Sequence, residues 1–145
     1  MSQENVATSK RGLEEGFNRG NLSVIDEDTT KDFVSHDPLV GDQDRDASKQ
    51  GIVGYRQAFP DLHLTIEDIF AADDKVVIRW SVQGTFENEF MGLKPTHEVG
   101  DPVRGTTIDR YEGGKIAESW SQWDTLTFMR NIGAIPEQAP ASAGS

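Results

Sequence analysis

The stretch TTIDRYEGGKIAESWSQW, Thr106–Trp123, decides the fold, because two alternating runs meet in it at Gly113-Gly114. A Gly-Gly pair supplies the positive φ angles that a two-residue hairpin turn demands, so the stretch reads as a β-hairpin. Counting outward from the turn, Glu112 faces Lys115, Asp109 faces Glu118 and Thr107 faces Trp120. Strand alternation then puts Asp109, Thr107, Glu118, Trp120, Gln122 and Asp124 on one face. Ile108, Ile116, Ser119, Ser121 and Trp123 take the other. Neither is a clean core face. The first either meets solvent or walls a pocket with apolar sides and a few convergent polar groups. If Asp109 and Glu118 were buried face to face, one pKa would rise, unless Arg79, Arg110 or water neutralised the pair.

The hairpin runs straight into WSQWDTL, Trp120–Leu126, where the alternation gives way to a helical run with Leu126, Met129 and Ile132 on one side and Gly133 as terminator. Asp124 stands at that junction. An Asp before a helix is a favoured N-cap, worth about 1 kcal/mol. It is also placed to be a carboxylate at the mouth of an apolar pocket, and the two roles are compatible.

Working back along the chain, LHLTIEDIF and KVVIRWSVQGTF carry the period-2 pattern of strands, and the segment 87–102 reads as a loop. Before them the period is near 3.6. Val6, Leu13 and Phe17 recur on one face of a helix from about Asn5 to Arg19, with Gly20 at its C-terminal cap. LSVIDE is a short second helix and FVSHDP an extended piece that ends at Pro38. A third helix starts after Asp46, its expected cap, and stops at Phe59 before Pro60. Helices first and hairpin strands later is an α+β order. A curved antiparallel sheet covered on one face by helices, as a half-open cone, would leave a cavity between the layers. One domain over residues 1–134 and a disordered tail over 135–145 (PEQAPASAGS being its core) complete the expected organisation.

Composition narrows the functional classes. The 145 residues carry a net charge of −11, which argues against nucleic acid or an anionic membrane surface as partner. No apolar run approaches the ~20 residues of a membrane span, and the N-terminal stretch lacks the apolar segment of a secretory signal. A cytoplasmic location is the default expectation. There are no cysteines, so disulfides, thiolate catalysis and cysteine-bound zinc are excluded. Residues 26–46 are crowded with aspartates but lack the spacing of a calcium loop, and read as a solvated acidic loop. The three histidines, His36, His63 and His97, are scattered and match no zinc motif. His36 and Asp37 are adjacent on an extended piece, so they point to opposite faces and form no dyad with each other. No nucleophile elbow, Walker loop or dinucleotide fingerprint occurs. An enzyme of this sequence would need no metal or other cofactor and would work by proton transfer in a shaped cavity.

The order of GFNRGNLSVIDE, FVSHDP, FPDLHLTIEDIFAADDKVVIRWSVQGTF, FMGLKPT and DRYEGGKIAESWSQWDTLTFMRNIG resembles the SnoaL-like polyketide cyclases, over roughly residues 5–134. That family belongs to the nuclear-transport-factor-like superfamily, which also holds ketosteroid isomerases. The resemblance implies a cystatin-like cone with a deep apolar pocket, usually in a homodimer or homotetramer. It also implies a metal-free intramolecular aldol closure of an aromatic or polycyclic substrate. Asp124 matches the Asp of the ExWxxxD pattern, which implies that it is the general acid/base, with a pKa raised by Trp and Phe walls. On this reading the substrate-binding residues are His36, Phe33, Arg79, Trp80, Thr107 and Trp120. His36 and Trp120 would orient or stack on the substrate, and Arg79 would orient Asp124 or hold an enolate. The rivals are hydroxylation or isomerisation of a related polycycle, and a non-enzymatic ligand-binding dimer.

Overall fold

The Gly-Gly turn directs the chain as its residue types require. In the computed structural model, which describes residues 2–136, Gly113 and Gly114 have φ of 58° and 83° and join strand β5 (Val103–Glu112) to β6 (Lys115–Trp123). Upstream lie α1 (Ser2–Arg11), which continues as a π-helix (Gly12–Asn18), then α2 (Ser23–Asp28), β1 (Thr29–Asp37), β2 (Gly41–Asp44) and α3 (Arg45–Ala58). The strands β3 (His63–Ala72) and β4 (Lys75–Gln83) precede the hairpin, and α4 (Thr125–Asn131) follows it. The expected tail falls, from residue 137 on, outside the described residues.

The strands form one curved six-stranded sheet in the order β2-β1-β6-β5-β4-β3. All neighbours are antiparallel except β1 and β6, which run parallel. The purely antiparallel sheet expected from the hairpins is therefore corrected at one seam. After β2, helix α3 carries the chain across to the far edge, and the β3–β6 meander works back until β6 lands beside β1. Together with the N-terminal helices this makes the α+β cone expected of the sequence.

Two local details depart from the sequence reading. The acidic stretch before α3 contains a strand, β2, and the cap of α3 is Asp44 rather than Asp46: its side chain accepts from Ala47 N at 2.8 Å. The hairpin register also slips. Glu112 pairs with Lys115 as counted and Tyr111 with Ile116, but Arg110 pairs with Glu118, leaving Ala117 as the extra residue of a β-bulge. Beyond it Asp109 faces Ser119 and Thr107 faces Ser121. A slip of one residue moves every later side chain to the other face. Ser119, Ser121 and Trp123 thus share the helix-covered face with Thr107 and Asp109, while Glu118, Trp120 and Gln122 turn outward.

On the covered face, Phe33, Leu64, Val76, Ile78, Trp80, Tyr111 and Ile116 form one apolar cluster, with Val6, Leu13 and Phe17 of the N-terminal helix against it. Ala58, Phe59, Phe86, Val103, Phe128 and Ile132 form a second beneath α4. The N-terminal helix is held in place by polar clamps. Asn18 exchanges two hydrogen bonds with the backbone of Leu64, at 2.9 and 2.7 Å, and Arg56 donates to the terminal carbonyls of Phe17 and Asn18. Those contacts satisfy carbonyls that a helix end leaves open.

Candidate functional site

Between the two apolar clusters the layers do not close, and a cavity of about 210 Å³ remains. Its floor comes from the sheet. Trp80, Gly105 and Trp123 are cross-strand neighbours on β4, β5 and β6. A methyl group at Gly105 would lie 2.5 Å from the Trp80 ring and 2.6 Å from Trp123 Cβ, so glycine is what lets both indoles sit side by side. The helices supply the roof: Leu13 and Phe17 from the N-terminal helix, Tyr55 and Phe59 from α3, and Phe128 from α4. Gln83, Asp101 and Asn131 are at its more exposed edge. Asn131 and the backbone of Asp101 exchange two hydrogen bonds, at 3.0 and 2.8 Å, tying α4 to the start of β5.

The carboxylate inside this cavity is Asp37, half-buried at the end of β1. Its Oδ1 accepts from the backbone N–H groups of Leu39 and Val40, at 2.8 and 3.1 Å, and its Oδ2 accepts from Trp123 Nε1 at 3.0 Å. A carboxylate offers about four lone-pair sites. The three donors fix the group and leave one site, on Oδ2, without a donor among the described residues. Tyr55 also lines the space, its ring stacked on Phe90 at 5.3 Å. Burial, and then the charge of Asp37, push the Tyr55 pKa up to about 12, so the phenol stays protonated and can only donate or accept as a neutral group. On the sheet, Trp80 Nε1 donates to Thr107 Oγ1 at 2.9 Å, and Thr107 Oγ1 lies 2.9 Å from Ser121 Oγ.

Of the seven residues expected at the site, Trp80 and Thr107 line the cavity. Phe33 is buried in the first apolar cluster, beneath the sheet's covering and outside the lining. His36, Arg79 and Trp120 are corrected to the outer face. Arg79 is exposed and pairs with Asp68 at 2.7 Å, far from any role with Asp124. The His36 ring stacks on Trp120 and is clamped between Asp42, 2.7 Å from Nδ1, and Glu118, 2.6 Å from Nε2. Those two carboxylates, Glu118 foremost, raise the His36 pKa.

Asp124 is the other correction. It is exposed, it is not among the residues around the cavity, and it caps α4: Thr127 N donates to Oδ1 at 3.0 Å and Thr127 Oγ1 to Oδ2 at 2.6 Å. These bonds, the hydroxyl's first, lower its pKa, the opposite of the rise that aromatic walls would cause. The pair of facing carboxylates also dissolves. Glu118 points outward to His36 and Arg110, while Asp109 is buried with hydroxyl partners, Ser9 at 2.7 Å and Ser119 at 2.5 Å. Burial dominates there and raises the Asp109 pKa.

The sequence reading missed Asp37, Tyr55, Ser121 and Trp123. A signal for Asp37 was present, since alternation already set it opposite His36. Nothing local marks Tyr55, which reaches the cavity only through the packing of α3. No group of three or more His, Asp or Glu residues that could hold a metal occurs among the described residues, and no helix among them is long and apolar enough to cross a membrane.

Comparison with known proteins bears on this cavity. AclR from Streptomyces galilaeus, a proposed hydroxylase, shares 26% identity over 99% of this chain and 88% of its own, with a TM-score of 0.85. IdmH from Streptomyces antibioticus, a proposed polyketide cyclase, shares 28% identity over 88% of this chain and 98% of its own, with a TM-score of 0.75. A SnoaL-like protein from Jannaschia sp. CCS1 has the same fold, with a TM-score of 0.82 at 24% identity, over 93% of this chain and 95% of its own. No curated protein matches the sequence. The family model for SnoaL-like polyketide cyclase matches residues 7–132, nearly the whole of the cone described above, and the chain therefore belongs to that family.

Proposed function

We propose that the protein is a cofactor-independent enzyme that closes a ring in a polyketide-like ester or ketone by intramolecular aldol condensation. The observation that carries this reading is a carboxylate, Asp37, that lines an apolar cavity and is held still by three N–H donors. Asp37 takes a proton from carbon next to a carbonyl, and the C–H electron pair becomes the enolate. The enolate carbon attacks a second carbonyl of the same molecule, a C–C bond forms, and the new alkoxide takes the proton back from the Asp37 carboxylic acid. The walls hold the flexible chain folded in a near-attack conformer, which removes much of the entropic barrier. In the low-polarity interior the fixed carboxylate acts without solvent to reorganise.

The family's polyketide cyclases and the likeness to IdmH support the reaction class. A second reading, hydroxylation of a related polycycle, is favoured by the likeness to AclR. A screen of aromatic polyketide intermediates, with mass analysis of products, tests both. Cyclisation leaves the mass unchanged or loses one water, whereas hydroxylation adds one oxygen and consumes dioxygen. Asp37→Asn is expected to lower turnover at least ~100-fold, the usual contribution of a positioned acid or base, and Asp124→Asn to leave it unchanged. The reverse pattern would return the proton-transfer role to Asp124.

A further inference from the structure

Counting protons along the sheet floor exposes a second polar feature of the cavity. The Trp80 indole can only donate, so in its 2.9 Å bond the Thr107 oxygen accepts. Thr107 and Ser121 together hold two hydroxyl protons, and the 2.9 Å contact between their oxygens uses one of them. No other acceptor takes a proton from either hydroxyl among the described residues. Whichever of the two donates, one O–H is left over, and both residues line the cavity. Ile78, the cross-strand neighbour of Thr107 on β4, offers it nothing, and Asp37, which also lines the cavity, takes its hydrogen bonds from the three N–H donors named above.

We infer that Thr107 and Ser121 form a subsite for a ligand oxygen, a carbonyl in the ground state and an enolate after deprotonation. When Thr107 donates to Ser121 the donors run from the indole N–H through both hydroxyls to the ligand, and when Ser121 donates to Thr107 they run from both neighbours into Thr107 and out through its own O–H. Aligned bonds of this kind polarise one another, which strengthens the last donor. An acceptor placed there completes a network that is otherwise one partner short, while an apolar atom in the same place leaves a donor unpaired. The subsite selects ligands that carry an oxygen acceptor, and it stabilises charge that appears on that oxygen. The inference rests on the aldol reading for the enolate step alone; the preference for an acceptor stands on the proton count.

The test uses the intact protein and a matched pair of bicyclic probes, 1-tetralone and tetralin, which differ by one carbonyl oxygen. Binding is followed by tryptophan fluorescence and the tetralone carbonyl by infrared difference spectroscopy. The wild-type protein is expected to bind tetralone about tenfold more tightly than tetralin, with the carbonyl stretch shifted to lower frequency. Ser121→Ala and the near-isosteric Thr107→Val are each expected to reduce that preference severalfold and to return the stretch toward its free value. Circular dichroism and melting check that each variant is folded. Two variants are needed because either substitution alone could disturb the sheet. Equal binding of both probes by the wild type, or a preference that survives in both folded variants, overturns the subsite. Asp37→Asn separates the two readings. It is expected to keep the tetralone preference, so loss of turnover in that variant speaks only to Asp37, and loss of the preference in the hydroxyl variants speaks only to the subsite.

Discussion

His36 and Asp37 are consecutive residues of β1 that serve opposite faces of one sheet: the His36 ring is clamped between Asp42 and Glu118 on the outer face, and the Asp37 carboxylate takes the Trp123 N–H inside the cavity. The strand's alternation thereby separates a charged surface network from the one half-buried carboxylate of the cavity by a single peptide bond.

The outer network makes His36 a pH-dependent element. Its pKa is raised by the Glu118 and Asp42 hydrogen bonds, and that of Glu118 is lowered, His36 being the first cause. A raised histidine contributes stability that is fully present below its ordinary value of about 6.5 and is lost as pH rises through the folded value. NMR titration of the His36 ring is expected to give a midpoint above the ordinary value. In Glu118→Gln that midpoint falls toward it; an unchanged midpoint would contradict the clamp.

Asp109 has the same sign for a different reason. Burial raises its pKa, with only the Ser119 and Ser9 hydroxyls favouring the charged form. An acid raised in the folded state contributes stability below its unfolded value, about 3.9, and loses it as pH rises through the folded value. Asp109→Asn mimics the protonated form and fits the same hydroxyl partners. Its melting temperature is expected to exceed that of the wild type at neutral pH, and the advantage to shrink in acid. A lower melting temperature at every pH would show that the charged form is the one the fold stabilises.

Asp124 behaves as a cap. Its lowered pKa means a contribution present above about 3.9 and lost as pH falls through the folded value. Asp124→Ala is expected to cost about 1 kcal/mol in urea unfolding, and Asp124→Asn a few tenths or less, because Asn also accepts from the Thr127 N–H.

Gly105 fixes the cavity floor. Gly105→Ala places a methyl 2.5 Å from the Trp80 ring and 2.6 Å from Trp123 Cβ, so one of the two side chains must move. Overpacking of this kind costs roughly 1–3 kcal/mol. The melting temperature is expected to fall together with probe binding, since both Trp80 and Trp123 wall the cavity; a stable variant with unchanged binding would mean that the rings yield freely.

Asp37 itself separates chemistry from packing. Asp37→Asn keeps an acceptor for either the two backbone N–H groups or the Trp123 N–H, but not for both, whereas Asp37→Ala leaves all three N–H groups without their partner. The alanine variant is expected to be less stable than the asparagine variant by about 1–3 kcal/mol, measured by chemical unfolding.

How far the sequence carried the fold can be read from particular residues. The helix that ends at Gly20, the strands from Leu62 onward, the Gly113-Gly114 turn and the helix behind Asp124 were legible because each is a local matter of periodicity, turn chemistry or capping. The same locality set His36 and Asp37 on opposite faces. The faces of β6 were not legible, because Ala117 bulges out of a run that alternates well enough without it. That single extra residue exchanged Trp120 and Glu118 for Ser119, Ser121 and Trp123 on the covered side. What the sequence alone determined is the helices, the longer strands and their order, with β2 missed, since those depend on neighbours within a few positions. Which side chains meet around the cavity was decided only by the tertiary structure: the bulge and the packing of α3 and α4 bring Asp37, Tyr55, Ser121 and Trp123 together across long separations, where no local pattern records the contact.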